Sequence, residues 1–323
     1  MHYCIRIQGH LDHYWREWFG NLEIIHEATG TSLLSGPLAD QAALYGVLLA
    51  IRYRGLTLLS LEQDKEQTTK HDRSLLMTNH IEQNQSLKGQ RLVILGGTSG
   101  IGLATAQLAA SEGASIVVAS SQQSSIDRAL TLLPAGAEGY ELDLTNEEAV
   151  KSFFERLGGF DHLIFTAGES LLVGELGSIE LEQARQFYNL RFWGAFIAAK
   201  YGSSHIRPGG SIVLTSGAAG RRPAKGLVAV APITSAVESL GRALAVELAP
   251  IRVNVICPGV VKTELWNTLP EEAREGFFQS TGQGLLVGRI GEAGDLAQSY
   301  LYALREGYST GQVIVVDGGA SLV

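Results

Sequence analysis

The sequence predicts an α/β fold in which a doubly wound parallel β-sheet follows a small α+β domain. From about residue 88 onward, short apolar runs rich in valine, isoleucine and leucine alternate with helical stretches. This alternation is typical of a parallel sheet that is covered by helices on both faces. Before residue 62 the predicted strands follow one another more closely, and a polar stretch separates the two parts.

Residues 1–62 form the predicted small domain, with strands at 3–8, 22–26, 31–34 and 56–61 and helices at 11–19 and 39–54. The order β-α-β-β-α-β is typical of a ferredoxin-like sandwich. We interpret His10, Asp12 and His13 as turn and helix-start residues, because aspartate is a favoured N-cap, and we predict no metal site. Residues 63–87 are polar and are predicted to be a linker.

The larger part, residues 88–323, begins with a glycine-rich turn between a predicted strand and a predicted helix. Apolar strands are expected at 92–95, 115–119, 162–165, 211–215, 252–256 and 313–316. The turn that follows the first strand reads Gly-Gly-Thr-Ser-Gly-Ile-Gly. Its glycines permit a sharp turn and a close approach of backbone to a pyrophosphate, and the helix start attracts the phosphates. The predicted cofactor contacts here are Gly96, Thr98, Ser99, Gly100, Ile101 and Gly102.

Composition excludes several classes of partner. The chain has 323 residues and a net charge of −8, which argues against binding to nucleic acid or to an anionic membrane surface. The apolar stretch at residues 45–51 is too short to span a bilayer, and the first residues do not resemble a signal peptide. The cysteines are Cys4 and Cys257, which suggests a reducing compartment. We therefore expect a cytoplasmic enzyme.

Further motifs, in the right order, resemble the short-chain dehydrogenase/reductase family over residues 88–323. They are an Asp-Leu pair at 143, Thr-Ala-Gly at 166, Pro-Gly-Val-Val-Lys-Thr at 258 and a closing strand that ends in Val-Asp-Gly-Gly at 316. The resemblance implies a Rossmann-like fold, a small-molecule substrate and a homo-oligomer, dimer or tetramer, formed through helices around 182–202 and 231–249. The cofactor contacts that it implies are Asp143, Leu144, Thr166, Ala167, Gly168, Pro258, Gly259, Val261 and Thr263.

The choice of cofactor depends on the residues after the second strand of this part. An acidic residue there would bind a ribose 2′-hydroxyl and repel a 2′-phosphate. The chain instead has Ala119, Ser120, Ser121 and Gln122, which bring two hydroxyl groups and no negative charge. The sequence therefore favours NADP(H) over NAD(H), with Ser120 and Ser121 as contacts.

The catalytic residues that the resemblance implies are absent. Matching the helix of the family places Val230 at the tyrosine position, Thr234 at the lysine position, Gly217 at the serine position and Arg191 at the asparagine position. No shift of the alignment restores the pair, because residues 217–249 contain no tyrosine and their one lysine is Lys225. General acid catalysis of this kind contributes roughly 10²–10⁴-fold to the rate.

Four residues are candidates to replace the lost groups. Ser216 is next to the serine position, but neighbouring strand residues point to opposite faces, so its use requires a bulge or turn at the strand end. Thr234 can bond a ribose hydroxyl. Tyr188 and Arg191 are three residues apart on a predicted helix, and Arg191 can orient an anion or stabilise an oxyanion. A basic cluster, Arg221, Arg222 and Lys225, follows on the next loop.

We expect an atypical NADP(H)-dependent oxidoreductase that acts on a small, hydrophobic, carbonyl or enone-like substrate. One alternative is a non-catalytic dinucleotide-binding sensor, with the small N-terminal domain as its output module. A second alternative is a non-redox enzyme on the same scaffold, because apolar residues at 227, 228 and 230 would suit a hydrophobic substrate held away from water.

Overall fold

The computed structural model describes residues 2–11, 15, 19, 22–27, 30–38, 41–64 and 87–323. The chain divides into two compact units, Met1–His80 and Ile81–Val323. Most of the predicted linker, most of the predicted helix at 11–19, and the residues Asp12 and His13 lie outside the described residues. In the described part of the chain no helix is both long enough and apolar enough to cross a membrane.

The first unit contains an antiparallel sheet with the strand order β2-β3-β1-β4. The elements are β1 (His2–Gln8), β2 (Glu23–Glu27), β3 (Thr31–Pro37), α1 (Gln41–Tyr53) and β4 (Leu58–Asp64). Alternate residues of β1, including Ile5 and Ile7, are fully buried, because successive side chains point to opposite faces of a strand. This strand order confirms the prediction of a ferredoxin-like α+β arrangement.

The second unit contains a seven-stranded parallel sheet with the order β13-β10-β9-β8-β5-β6-β7. Six of its strands match the apolar runs. The seventh, Glu138–Glu141, has no apolar run because it lies at the sheet edge, where its side chains are only partly buried. The strands are β5 (Arg91–Leu95), β6 (Ser115–Ser120), β7 (Glu138–Glu141), β8 (Phe160–Phe165), β9 (Ile206–Thr215), β10 (Arg252–Pro258) and β13 (Val313–Val316).

Helices cover both faces of this sheet. They are α2 (Gly100–Ser111), α3 (Gln123–Leu132), α4 (Glu147–Leu157), α5 (Leu181–Tyr188), α6 (Ala195–Gly202), α7 (Val230–Glu247), α8 (Glu271–Gly284) and α9 (Ala293–Arg305). A π segment (Asn189–Gly194) joins α5 to α6. A two-residue ribbon pairs β11 (Val261–Lys262) with β12 (Gly291–Glu292).

Two apolar clusters lie on the two faces of the parallel sheet. Val93 and Leu95 of β5 belong to the cluster that includes Phe154 of α4, whereas Leu92 and Ile94 belong to the cluster that includes Tyr300 of α9. Because neighbouring residues of one strand are buried on opposite faces, both faces of the parallel sheet are shielded from water. The doubly wound, Rossmann-like prediction is therefore confirmed.

The topology of this sheet determines where a site can form. From β5 the chain first builds one half of the sheet through β6 and β7, and then the other half from β8 onward. In open parallel sheets a crevice forms at such a switch point, beyond the carboxyl ends of the strands. The glycine turn after β5 and the residues after β6, β8, β9 and β10 all meet at this edge.

Candidate active site

A cavity of about 900 Å³ opens at the carboxyl edge of the parallel sheet. It is large enough for both a dinucleotide and a small substrate. All the residues predicted as cofactor contacts line it. They are Gly96, Thr98, Ser99, Gly100, Ile101, Gly102, Ser120, Ser121, Asp143, Leu144, Thr166, Ala167, Gly168, Pro258, Gly259, Val261 and Thr263.

The phosphate turn (residues 96–102) has a backbone that only glycine allows. Gly96 has φ +87°, and a Cβ there would lie 2.5 Å from the backbone nitrogen of Ala167. A Cβ at Gly102 would lie 2.3 Å from the carbonyl oxygen of Gly96. No side chain caps the start of α2 at Ser99, so its first amides face the cavity without a competing acceptor. This open cradle fits a pyrophosphate.

The adenosine end of the cavity is formed by the residues that follow β6 and β7. Ser120 and Ser121 line it, and Ser120 Oγ accepts a long hydrogen bond of 3.4 Å from the amide of Gln122. The backbone amide and the hydroxyl of Thr145 both donate to Asp143 Oδ1, at 2.9 and 2.7 Å. The serine hydroxyl protons thus stay available to a phosphate.

The nicotinamide end is formed by the loop after β10. Gly259 allows this loop to pass the closing strand, because a Cβ there would lie 2.7 Å from Asp317 Cα. The side chain of Thr263 lies 3.2 Å from the position that a Cβ of Gly100 would take. Thr166 Oγ1 donates to the carbonyl oxygens of Leu95 and Gly96, at 3.2 and 3.1 Å, and so ties the phosphate turn to β8. The residues at both ends therefore fit a dinucleotide.

The centre of the cavity is apolar at the positions where the family carries its tyrosine and serine. Val230 is 3% exposed and packs with Phe187 and Ile233. A Cβ at Gly217 would lie 3.2 Å from Thr234 Cγ2, so the serine and lysine positions face each other as the alignment implies. No tyrosine is among the described residues that line the cavity. The described cavity lining thus lacks the phenol of the family, and Thr234 places a hydroxyl where the family has its lysine.

Ser216 follows the last residue of β9 and lies next to Gly217, which occupies the position of the missing serine. Its Oγ lies 3.4 Å from Glu238 Oε1 and 3.5 Å from the carbonyl oxygen of Ile256, and it donates weakly to both. Glu238, on α7, is nearly buried and accepts two hydrogen bonds of 3.1 Å from Arg221. Ser216 lines the cavity, but the hydroxyl is engaged in this network.

Arg191 is a buried cation on the cavity wall. Its Nη2 donates to the backbone carbonyl of Glu169, and its guanidinium lies 4.9 Å from the centre of the Phe187 ring. A Cβ at Gly168 would lie 2.6 Å from Nη1, so the guanidinium rests against bare backbone. Arg191 Nε and Glu169 Oε2 are both buried without a hydrogen-bond partner in the described part of the chain. Arg191 lines the cavity, but its Nε itself is closed off from solvent, so any contact with a ligand falls to the rest of the guanidinium.

Burial shifts the pKa values of Arg191 and Glu169 in opposite directions. Burial lowers the pKa of Arg191, and the nearby carboxylate of Glu169 raises it again in part. Burial also raises the pKa of Glu169. An arginine keeps its charge at neutral pH even when its pKa falls, because the ordinary value is far above 7. Arg191 therefore stays charged, with the carboxyl group of Glu169 nearby.

Tyr188 is the last residue of α5, and Arg191 lies within the π segment that follows. A π turn holds more residues than an α turn, so the side chains that follow Tyr188 are rotated relative to an uninterrupted α-helix. Arg191 lines the cavity, whereas Tyr188 is not among its lining residues and packs beside Phe187. Burial raises the pKa of Tyr188. The described cavity lining therefore includes Arg191 but not Tyr188.

A small annex of about 30 Å³ adjoins the cavity near Thr234, whose hydroxyl donates to the carbonyl oxygen of Ala231 at 2.9 Å. This volume holds about one water molecule. Its lining is mostly polar, and it includes the hydroxyls of Thr166, Thr215, Ser216 and Thr234 together with Arg191. The annex occupies the side of the site where the family carries its lysine.

Two acidic residues of the site were missed from the sequence, namely Glu169 and Glu238. Glu169 follows the Thr-Ala-Gly motif directly, and this position was a usable signal. Glu238 carried no such signal, because its partner Arg221 is 17 residues away on a loop. Of the predicted basic cluster, Arg222 and Lys225 line the cavity and Arg221 instead anchors the loop.

Comparisons with known proteins agree with this geometry. A family model described as Enoyl-(Acyl carrier protein) reductase matches residues 96–321, and a domain of unknown function matches residues 2–62. The short-chain dehydrogenase/reductase ucsE of an Acremonium species is 37% identical over 72% of this chain and 96% of its own length. The corresponding protein ATR9 of Stachybotrys chlorohalonatus is 34% identical over 73% of this chain and 99% of its own length.

Two solved structures extend the comparison. A small-chain dehydrogenase in complex with NADPH is 38% identical, has a TM-score of 0.62, and matches 72% of this chain and 99% of its own. The MalC reductase/Diels-Alderase from Malbranchea aurantiaca is 30% identical, has a TM-score of 0.69, and matches 74% of this chain and 100% of its own. Fold, glycine cradle and relatives agree, and the chain therefore belongs to the short-chain dehydrogenase/reductase family of oxidoreductases.

Proposed function

We propose that the chain is an NADPH-dependent reductase of a small apolar carbonyl or enone, and that Arg191 replaces the missing tyrosine–lysine pair. The observation that carries this proposal is the Arg191 guanidinium, which packs against Phe187 and the Gly168 backbone on the wall of the cavity that all the predicted cofactor contacts line. A positive charge fixed in a water-poor site stabilises negative charge that develops on a substrate oxygen.

The preference for NADP(H) is supported by two observations. Ser120 and Ser121 line the adenosine end, and the chain has no acidic residue directly after β6, at the position that would bind a ribose 2′-hydroxyl, so a 2′-phosphate meets two hydroxyl groups there. In addition, a structure with 38% identity contains NADPH. When it is bound, NADPH supplies the hydride that reduces the substrate carbon.

The residues of the chain then have distinct roles. Arg191 holds the substrate oxygen and stabilises its developing charge, Thr234 bonds a ribose hydroxyl, and Ser216 keeps the end of β9 tied to α7. Val230 and Phe187 shield the reacting carbon from bulk water. The proton that completes the reduction comes from water, for which the polar annex beside Thr234 has room.

A non-redox activity is the second candidate. An apolar cavity with one buried cation polarises a carbonyl whether or not hydride follows, and such polarisation accelerates additions to a conjugated double bond. One related structure is that of a reductase/Diels-Alderase, at 30% identity. Product formation with NADP⁺ in place of NADPH distinguishes this activity from reduction.

We further propose the setting in which the enzyme works. Residues 1–62 are a separate small domain, joined by a linker at 63–87 to the catalytic domain at 88–323. The exposed side chains of Trp193, Phe196 and Val246, on and beside α6 and α7, favour a homo-oligomer, as a dimer or tetramer. The two free cysteines favour a cytoplasmic location.

The test is NADPH oxidation with a panel of activated ketones and enones. Arg191→Gln keeps hydrogen-bonding capacity but removes the charge, so kcat should fall about 10²–10³-fold with little change in the Kd of NADPH. Arg185→Gln is the matched control, because Arg185 is exposed on α5 beside Glu182. The proposal is wrong if Arg191→Gln keeps wild-type kcat, or if no substrate oxidises bound NADPH faster than a protein-free sample does.

A further inference from the structure

The substrate end of the cavity has two cations that a dinucleotide does not need. Arg222 and Lys225 line the cavity from the loop between β9 and α7, whereas the phosphate turn lies after β5. The acidic side chains among the described lining residues are Asp143, at the adenosine end, and Glu264, which pairs with Arg128 at 3.5 Å. Positive charge is therefore in excess at the substrate end of a protein whose net charge is −8.

Both cations can exchange their present partners for a ligand. Arg222 Nη1 donates to the backbone carbonyl of Ala320 at 3.2 Å, and a neutral acceptor leaves the charge of the guanidinium uncompensated. Lys225 Nζ lies 2.8 Å from Glu175 Oε1, but the two side chains are 85% and 70% exposed. An ion pair this exposed contributes little, so a second anion competes with it readily.

The loop that carries these cations is fixed at both ends. Next to Arg222, Arg221 makes two hydrogen bonds of 3.1 Å to Glu238 on α7. At the other end, the amide of Gly174 donates to the carbonyl oxygen of Gly226 at 2.8 Å. The loop therefore presents Arg222 and Lys225 at a defined place on the cavity wall, and a ligand does not have to order it first.

The wall of the cavity between this loop and the nicotinamide end is apolar. Its residues are Leu171, Val173, Phe187, Leu227, Trp266 and Phe277. An apolar molecule buries surface here, while a charged group within this stretch would lose its hydration without compensation. Arg191, from the π segment, and Arg222 with Lys225, from the loop, thus line the same cavity as this apolar surface.

We infer that the substrate is an amphipathic anion, whose reducible group meets Arg191 and whose carboxylate or phosphate is bound by Arg222 and Lys225. This inference rests on the proposed function, because it assigns the substrate class of the same cavity. Carboxylates and phosphates share the chemistry that a guanidinium and an ammonium recognise.

Calorimetric titration with octanoate, octyl phosphate and octanol tests the inference without requiring turnover. The full chain is titrated both with saturating NADP⁺ and without cofactor. Octanoate or octyl phosphate should bind about tenfold or more tightly than octanol, because a charge-assisted hydrogen bond is added to the same apolar contact. In Arg222→Gln/Lys225→Gln this preference should disappear while octanol binding stays unchanged.

Lys151→Gln/Arg185→Gln is the matched control, since it removes two exposed, ion-paired cations away from the cavity. This variant should keep the preference, and the stronger of the two anions then identifies the headgroup. Equal binding of all three probes, binding of none, or a preference that survives in Arg222→Gln/Lys225→Gln overturns the inference. An anion preference without NADPH turnover supports the site and counts against the reductase. Turnover of neutral substrates with no anion preference supports the reductase and counts against the anion site.

Discussion

At position 191 a guanidinium stands where the family has an asparagine amide, and this exchange alters the chemistry of the whole site. An amide offers a weak dipole, whereas the buried guanidinium brings a full charge against Phe187 and the carbonyl of Glu169. Val230 has no proton to give. In the function that we propose, this combination moves catalysis from acid–base chemistry toward electrostatic stabilisation of an oxygen.

The backbone geometry of the phosphate turn leads to a prediction for Gly96. Gly96→Ala should lower stability and abolish NADPH binding, because φ is +87° and the new Cβ would lie 2.5 Å from the nitrogen of Ala167. Gly136→Ala is the matched control, since φ is +99° there with nothing within 4 Å of the new Cβ. Both variants should lose about 1–2 kcal/mol to left-handed strain. Thermal unfolding and NADPH titration check this, and equal behaviour of the two variants would contradict it.

At the scale of elements, sequence pattern and structure agree wherever one strong local preference decides. Runs such as Leu92–Ile94 are buried on both faces, so their composition alone marks a central parallel strand. The edge strand Glu138–Glu141 lacks that burial, and its sequence has no apolar run from which a strand could be predicted. The π segment was not predictable either, because residue spacing alone does not distinguish a π turn from an α turn.

The candidate site likewise has one half that is predictable from the sequence and one half that is not. Its cofactor half follows from glycines and short motifs whose backbone geometry is local, and Gly96 and Gly102 illustrate this. The reaction centre depends on contacts between distant segments, such as Ser216 with Glu238 and Arg191 with Glu169. The pairing of two such distant residues is not visible in a single sequence, even where one of them, such as Glu169, lies directly after a recognisable motif.

Helix α9 yields a prediction about pH. Hydrogen bonds from Arg289 and from the amide of Glu292 lower the pKa of Asp295 to about 2, from an ordinary 3.8. Since the folded-state pKa is depressed, the stabilisation is present above pH 3.8 and disappears as the pH falls toward 2. Asp295→Asn should therefore cost about 1 kcal/mol of unfolding free energy at neutral pH, and less at acidic pH.

Denaturant unfolding at several pH values measures this difference. Asp127→Asn is the control, because Asp127 lies within α3 and accepts a hydrogen bond from Gln123 without capping a helix. A deficit of Asp295→Asn that is independent of pH would contradict the ionic origin of the cap.

At the scale of the whole molecule, the chain combines a family domain with an additional unit. The relatives match 72–73% of this chain but 96–99% of their own length, so residues 2–62 lie outside the shared domain. In the shared domain all the predicted cofactor contacts line one cavity, whereas the residues at the family's tyrosine and lysine positions are Val230 and Thr234. Binding of the cofactor is therefore the property on which all the proposed chemistry depends.

Calorimetric titration of the full chain with NADPH, with NADH as the comparison, tests this most directly. The predicted result is micromolar binding of NADPH and weaker binding of NADH, with the preference reversed in Ser121→Asp, because a carboxylate there repels the 2′-phosphate. Failure of both cofactors to bind would contradict the account, because the phosphate turn would then keep its backbone geometry without binding a dinucleotide.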